Sequence, residues 1–192
     1  HYLRSKGLGE EAVHAATDLD VTSFRPSVIF GRDDSFLNRF AGLLSAIPLA
    51  FPLACPRTRF APVYVNDVVE CFARALDCPA TYGKRYELCG PRPYTLQELV
   101  EYVARQRGLC RAVIGLNPTH SRLQAQLLEY APGKPLSVDN YLSMQCDSLC
   151  QEAFPPIFAL TPTPLEAIAP TYLGGDERNM RNQQLRQRAG RG

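Results

Sequence analysis

Short runs rich in β-branched and aromatic residues alternate with stretches of helical apolar spacing along most of this 192-residue chain, and that alternation restricts the fold more than any other feature. Strands separated by helices pair in parallel, because a strand can rejoin its neighbour in the same direction only through a long crossover. Residues 2–16 predict a helix with Leu8, Ala12, Val13 and Ala16 on one stripe, and residues 20–24 a strand ended by Arg25-Pro26. Residues 35–46 place Phe36, Leu37, Phe40, Leu43 and Leu44 at helical spacing, and Pro48 and Pro52 then predict an irregular connection. A β-like run at 60–65 precedes Asn66, which reads as the N-cap of a helix to Leu76. Residues 85–89 predict a strand closed by Gly90-Pro91. Thr95-Leu96-Gln97-Glu98 is a capping box that opens a helix stopped by Gly108. A strand at 112–115, a helix at 120–130 ended by Pro132-Gly133, and a second capping box, Thr163-Pro164-Leu165-Glu166, complete the pattern. The expected fold is α/β: the second half of a Rossmann-type doubly wound parallel sheet over residues 1–80 and a smaller mixed α/β lobe over 81–172. The polar, Arg-rich residues 173–192 lack apolar spacing and read as a disordered basic tail.

A formal net charge of +2 is too small to attract a nucleic acid, so no such partner is expected. The longest apolar stretch, Leu43 to Ala54, is broken by two prolines and falls short of the roughly 20 residues a bilayer span needs. The seven cysteines are scattered without a C-x-x-C pair, and His1, His14 and His120 lie far from them, which argues against a metal site. Small buried thiols in a reducing compartment are the better reading, with a cytoplasmic location. The chain opens on His1 rather than Met and carries no visible leader, so its true start is expected upstream.

Tyr2 and Lys6 form a Y-x-x-x-K pair, and positions i and i+4 of a helix share a face. A phenol with an ordinary pKa near 10 exchanges protons poorly at neutral pH, but a neighbouring ammonium favours the phenolate. Such a pair can therefore supply general acid/base chemistry beside a hydride transfer. Alone it is a common surface pair. Its context is more specific: a strand followed by Arg25-Pro26-Ser27-Val28-Ile29-Phe30-Gly31-Arg32, then Phe36-Leu37-Asn38-Arg39-Phe40. Pro62-Val63-Tyr64-Val65-Asn66-Asp67-Val68 and Gly90-Pro91-Arg92-Pro93-Tyr94-Thr95-Leu96 follow.

In this order the blocks resemble the extended short-chain dehydrogenases, and they are similar above all to the NAD(P)H-binding accessory subunit of respiratory complex I and its bacterial homologues. The resemblance covers about residues 1–170. It implies that Tyr2 and Lys6 are the catalytic pair and also touch the cofactor, with Lys6 on the ribose hydroxyls, and that Pro26, Ser27 and Val28 lie along the nicotinamide. The implied cofactor is NADP or NAD. The implied partners are a dinucleotide and either subunits of the respiratory complex or a membrane surface, placing the protein at the periphery of the inner membrane. Asn66 and Asp67 read as helix capping rather than catalysis.

The sequence departs from that family in one respect. No G-x-x-G-x-x-G element occurs, and Gly7-Leu8-Gly9 falls inside a predicted helix rather than in the strand-to-helix turn where glycines let a backbone approach a pyrophosphate. Several βα units of about 30 residues each, with the family's catalytic Ser or Thr, are thus expected upstream of His1. Two functions follow from the resemblance: a weakly or non-catalytic NAD(P)H-binding subunit or assembly partner of a respiratory NADH:quinone oxidoreductase, or a working oxidoreductase, epimerase or dehydratase with Tyr2 as acid/base. A bare structural domain is a third reading. The apolar segment 36–54 is expected either to pack on the core and close over the cofactor cleft or to stay exposed as a docking patch that includes Leu49, Phe51 and Leu53.

Overall fold

A computed structural model describes residues 2–16, 18–130 and 137–174, without the side chains of Tyr2 and Leu3. The chain begins with α1 (Tyr2–His14), β1 (Ser23–Pro26), β2 (Ile29–Phe30) and α2 (Leu37–Ala46). Next come β3 (Ala50–Leu53), β4 (Arg59–Phe60), β5 (Val63–Tyr64) and α3 (Val65–Leu76), which follows its strand without a loop. It continues with β6 (Arg85–Leu88), β7 (Tyr94–Thr95), α4 (Leu96–Gln106) and β8 (Ala112–Gly115). The helices α5 (Pro118–Leu128), α6 (Val138–Ser143) and α7 (Leu165–Leu173) complete the order.

Parallel pairing dominates, as alternation requires. β1 pairs with β6 from Ser23↔Arg85 to Pro26↔Leu88, β2 with β5, and β3 with β8 from Ala50↔Ala112 to Leu53↔Gly115. The antiparallel pair is β4 with β7. Among the described residues only β2–β5 joins strands from the same side of residue 80; the other three pairs link an earlier strand to a later one.

Helix α4 is central to the larger core. Its Leu96, Leu99, Val100 and Val103 are fully buried and spaced at i, i+3, i+4 and i+7, so one face meets α2 and α7. The Thr95–Glu98 box forms as read: the Thr95 hydroxyl accepts from the Glu98 amide at 3.1 Å, and the Glu98 carboxylate accepts from the Thr95 amide at 2.7 Å. Gly108 ends the helix with φ +66°, a left-handed conformation that favours glycine. Phe30, Leu37, Leu44, Phe51, Leu53, Leu165 and Leu173 fill the rest of this core. A second cluster packs Val68, Cys71 and Ala75 of α3 on Val63, Leu88 and Phe158.

Several local expectations are corrected. Asn66 lies inside α3, whose N-cap is Tyr64, and its side chain donates to the Tyr64 hydroxyl at 3.0 Å. Thr163 caps nothing: its amide and hydroxyl donate to the two oxygens of Asp67 at 2.7 and 2.9 Å, a tertiary bond across 96 positions that competes with local capping. Residues 50–53 form a strand despite Pro52, which is tolerated because β8 is the strand's sole partner among the described residues. The strand expected at 20–24 is shifted to 23–26, and the helix expected at 120–130 begins at Pro118, capped by Asn117. Leu173, read as the start of the tail, is buried at the end of α7. The tail beyond Gly174 and the Pro132-Gly133 terminator lie outside the described residues.

The expectation of buried thiols is corrected as well. Cys89 and Cys150 form a disulfide, Cys71 is buried, and Cys110 and Cys146 are exposed. Among the described residues no helix is long and apolar enough to cross a membrane, and no three His, Cys, Asp or Glu side chains are grouped to hold a metal.

Candidate functional site

The segment after β1 sets one wall of a cavity of about 720 Å³, lined by Pro26, Ser27, Val28 and Ile29. Three hydrogen bonds hold that segment against the strands behind it. The Ser27 amide donates to the Leu88 carbonyl at 2.9 Å, the Val28 carbonyl accepts from the Val63 amide at 3.0 Å, and the Ser27 hydroxyl donates to the Ser148 carbonyl at 2.6 Å. The same hydroxyl accepts from the Ala61 amide at 3.2 Å. Ser27 is 8% exposed, so its donor and acceptor capacity is spent inside the protein. Close packing extends this joint: a Cβ on Gly90 would meet the Pro62 carbonyl oxygen at 1.8 Å, a distance no other residue can accommodate.

Opposite that wall, α2 presents Phe36, Phe40, Leu43 and Ile47, spaced so that one helical face looks into the cavity. The start of α2 is fixed by Asp34, whose Oδ1 accepts from the amides of Phe36, Leu37 and Asn38 and whose Oδ2 accepts from the Gly31 amide and the Tyr172 hydroxyl. Burial and the Asp34 carboxylate push the Tyr172 phenol far above its ordinary pKa, so it stays a donor. Gln124 and Leu128 of α5, Asn140 and Ser143 of α6, and Met144 close the remaining side. Gln124 and Leu128 were missed in the sequence because helical spacing alone does not tell what a helix faces, and Asn140, Ser143 and Met144 because the chain around 131–147 carries no apolar period. The local signal there is Ser137, whose hydroxyl caps α6 by accepting from the Asn140 amide at 3.1 Å.

The Tyr2–Lys6 pair is on α1, which lies beside α6 and is tied to the sheet by Glu10. The Glu10 carboxylate accepts from Arg25 at 3.0 and 3.1 Å and pairs with Arg85 at 3.3 Å. The hydrogen bond from Arg25, outweighing the effect of burial, holds the Glu10 carboxyl below its ordinary pKa. His14 and Ser23 meet at 2.7 Å at the other end of the helix. Lys6 is exposed and does not line the cavity. The side chain of Tyr2 lies outside the described residues. Of the five site residues read from the sequence, the fold thus gathers Pro26, Ser27 and Val28 on one wall, while α1 lies beside α6.

A dinucleotide needs a seat for its pyrophosphate, normally open backbone amides at a helix N-terminus. The described helices offer little of the kind. The first amides of α2 are taken by the Asp34 carboxylate, that of Glu98 in α4 by Thr95, and that of His120 in α5 by Asn117. Asp67 stands in the first turn of α3. A carboxylate already seated at a helix N-terminus repels a second anion. The described residues do not fit the pyrophosphate, whereas the apolar wall at Pro26–Val28 offers a surface on which a flat ring can pack.

No family model matches the chain. The mitochondrial NADH dehydrogenase [ubiquinone] 1 alpha subcomplex subunit 9 of Rattus norvegicus is 39% identical over 101 residues, 53% of this chain and 26% of the relative. The protein of the same name from Arabidopsis thaliana is 37% identical over 100 residues, 52% of this chain and 25% of the relative. The matched region thus spans about a quarter of the length of these relatives. Among solved structures, the NADPH-dependent quinone oxidoreductase QOR2 of Escherichia coli, complexed with NADPH, superposes with a TM-score of 0.62 at 16% identity, over 85% of this chain and 56% of that chain. The α/β fold with parallel strand pairs is therefore shared with that reductase, and the resemblance read from the sequence holds for about half of the chain.

Proposed function

We propose that this chain is the C-terminal part of a short-chain dehydrogenase-like, NAD(P)H-binding subunit or assembly partner of a respiratory NADH:quinone oxidoreductase, weakly or non-catalytic. The observation that carries the reading is the Pro26-Ser27-Val28 segment, locked by three hydrogen bonds as one wall of a cavity. It is the segment that the resemblance sets along a nicotinamide. Similarity to the rat and plant subunits over half of the chain supports the kind of assembly. In this reading residues 1–80 complete a nucleotide domain, residues 81–172 form the partner lobe, and a glycine turn elsewhere in the full-length protein seats the pyrophosphate. Lys6 holds the ribose hydroxyls. The bound nucleotide supplies a redox-active ring, while this chain's residues orient it and exclude water from one face. The protein sits at the inner membrane through the complex.

Substitutions in the full-length protein test this. Lys6→Ala is expected to weaken NADPH binding at least tenfold in isothermal titration and to lower the melting temperature, because a ligand bound only by the folded state stabilises it. Tyr2→Phe is expected to leave both unchanged. The Y-x-x-x-K spacing also serves a working oxidoreductase or epimerase with Tyr2 as general acid/base. If Tyr2→Phe abolishes a measurable turnover, that second reading replaces the first.

A further inference from the structure

We propose that the cavity takes a long hydrocarbon chain, that of a fatty acid or of an isoprenoid quinone, rather than a sugar nucleotide; the proposal rests on taking this cavity as the ligand site of the preceding reading. Its size, about 720 Å³, is that of a small-molecule site. Its lining is mostly hydrocarbon: Phe36, Phe40, Leu43 and Ile47 along α2 are joined by Leu128 and Met144. The aromatic rings are arranged edge to face, Phe36 with Phe40 at 5.4 Å and Phe40 with Phe51 at 6.3 Å, which turns ring edges and faces rather than polar atoms inward.

The polar side chains of the wall decide the class. A sugar nucleotide presents many hydroxyls and phosphates, and each must find a partner or lose its hydration without compensation. The wall has few partners to give. The Ser27 hydroxyl is bonded to Ser148 and Ala61, the Ser143 hydroxyl donates to the Asp139 carbonyl at 2.9 Å, and the Gln124 Nε2 donates to the Pro52 carbonyl at 2.9 Å. The Gln124 Oε1 is buried without a partner, one acceptor against the many groups a sugar nucleotide presents. The charged wall residues, Arg39 and Asp139, are solvent-exposed. The charged groups thus lie where solvent reaches them while most of the lining is hydrocarbon, the distribution that suits a chain buried by its tail and hydrated at its head.

The test uses the full-length protein and the fluorescent fatty acid cis-parinaric acid as probe. Saturable binding in the micromolar range is expected. Ile47→Trp and Leu128→Trp, which fill the cavity, are each expected to weaken it at least tenfold while the melting temperature holds; two variants guard against one that misfolds. Oleate and decylubiquinone serve as competitors, and the one that displaces the probe at the lower concentration identifies the source of the chain. UDP-glucose at millimolar concentration is expected neither to displace the probe nor to raise the melting temperature. The proposal is overturned if the probe does not saturate, if both filled variants bind it unchanged, or if UDP-glucose displaces it. NADPH titration in the same samples reads the nucleotide proposal separately, so either one can fail without the other.

Discussion

Ser27 and Ser148, 121 positions apart, are joined by a 2.6 Å hydrogen bond from the hydroxyl of the first to the carbonyl of the second. The bond fastens the loop after α6 to the strand that carries the cavity wall. Ser27→Ala removes the hydroxyl and leaves the Ala61 amide and the Ser148 carbonyl bonded only to each other, at 3.2 Å. A loss of about 0.5–1.5 kcal/mol in urea unfolding is expected. An unchanged midpoint would show that water replaces the hydroxyl there.

The Cys89–Cys150 disulfide closes a loop of 61 positions and anchors the same segment from its far side. By chain-entropy reasoning a loop of that length is worth about 4 kcal/mol. Reduction, or Cys150→Ser, is expected to lower the melting temperature markedly, and dithiothreitol is expected to have no further effect on the variant. Identical melts of the wild type with and without reductant would mean that the bond contributes nothing to the folded state.

Burial raises the Tyr102 phenol to about 12 and, with the nearby carboxylates of Glu166 and Asp34, raises Tyr94 and Tyr172 further. A raised folded-state pKa means that the folded protein keeps a proton which the unfolded chain loses near pH 10. Stability contributed by these groups is therefore fully present below pH 10 and is lost as the pH climbs towards 12 and beyond, by up to about 1.4 kcal/mol per unit for each group. Absorbance titration at 295 nm should show fewer than the nine tyrosines ionising before the chain unfolds, the rest following in one cooperative step. Nine smooth ionisations before unfolding would contradict the burial of these hydroxyls.

The apolar segment before β4 divides in two. Phe51 and Leu53 are 5% and 3% exposed, whereas Leu49 is 81% exposed and holds φ at 68°. Phe51→Ser should cost about 3–5 kcal/mol as a cavity-forming change. Leu49→Gly should stay within about 1 kcal/mol of the parent, since glycine adopts positive φ without the Cβ clash. Docking through this segment would therefore depend on Leu49, and co-sedimentation of Leu49→Gly with membranes carrying the assembled complex measures it.

Much of the architecture was legible because it rests on local spacing. The Thr95–Glu98 box and the Gly108 stop depend on residues within one or two helical turns, and both appear as read. Thr163 was misread because its partner, Asp67, is remote: a tertiary carboxylate overrides a local cap, and no spacing rule records it. Strand β3 was hidden by Pro52, since edge strands tolerate proline and the sequence does not say which strands are edges. Pro26, Ser27 and Val28 were singled out by the resemblance, and they line one wall of the cavity. The lining from α5 and α6 was not legible, because those residues converge only through packing.

The interleaved strand order bears on how the polypeptide matures during synthesis. β1 and β3 emerge from the ribosome well before their partners β6 and β8, and among the described residues no nearer strand serves them in the meantime. Pairings between remote segments are slow to form, because the intervening chain must lose its freedom before any contact rewards it. Until residue 88 is released the nascent polypeptide therefore carries two strands without their partners, and until residue 115 it still carries β3 unpaired together with the apolar face of α2, the kind of surface that captures other chains. Truncation within β8, rather than within α7, should mark the point at which a translating ribosome holds a product that aggregates instead of folding.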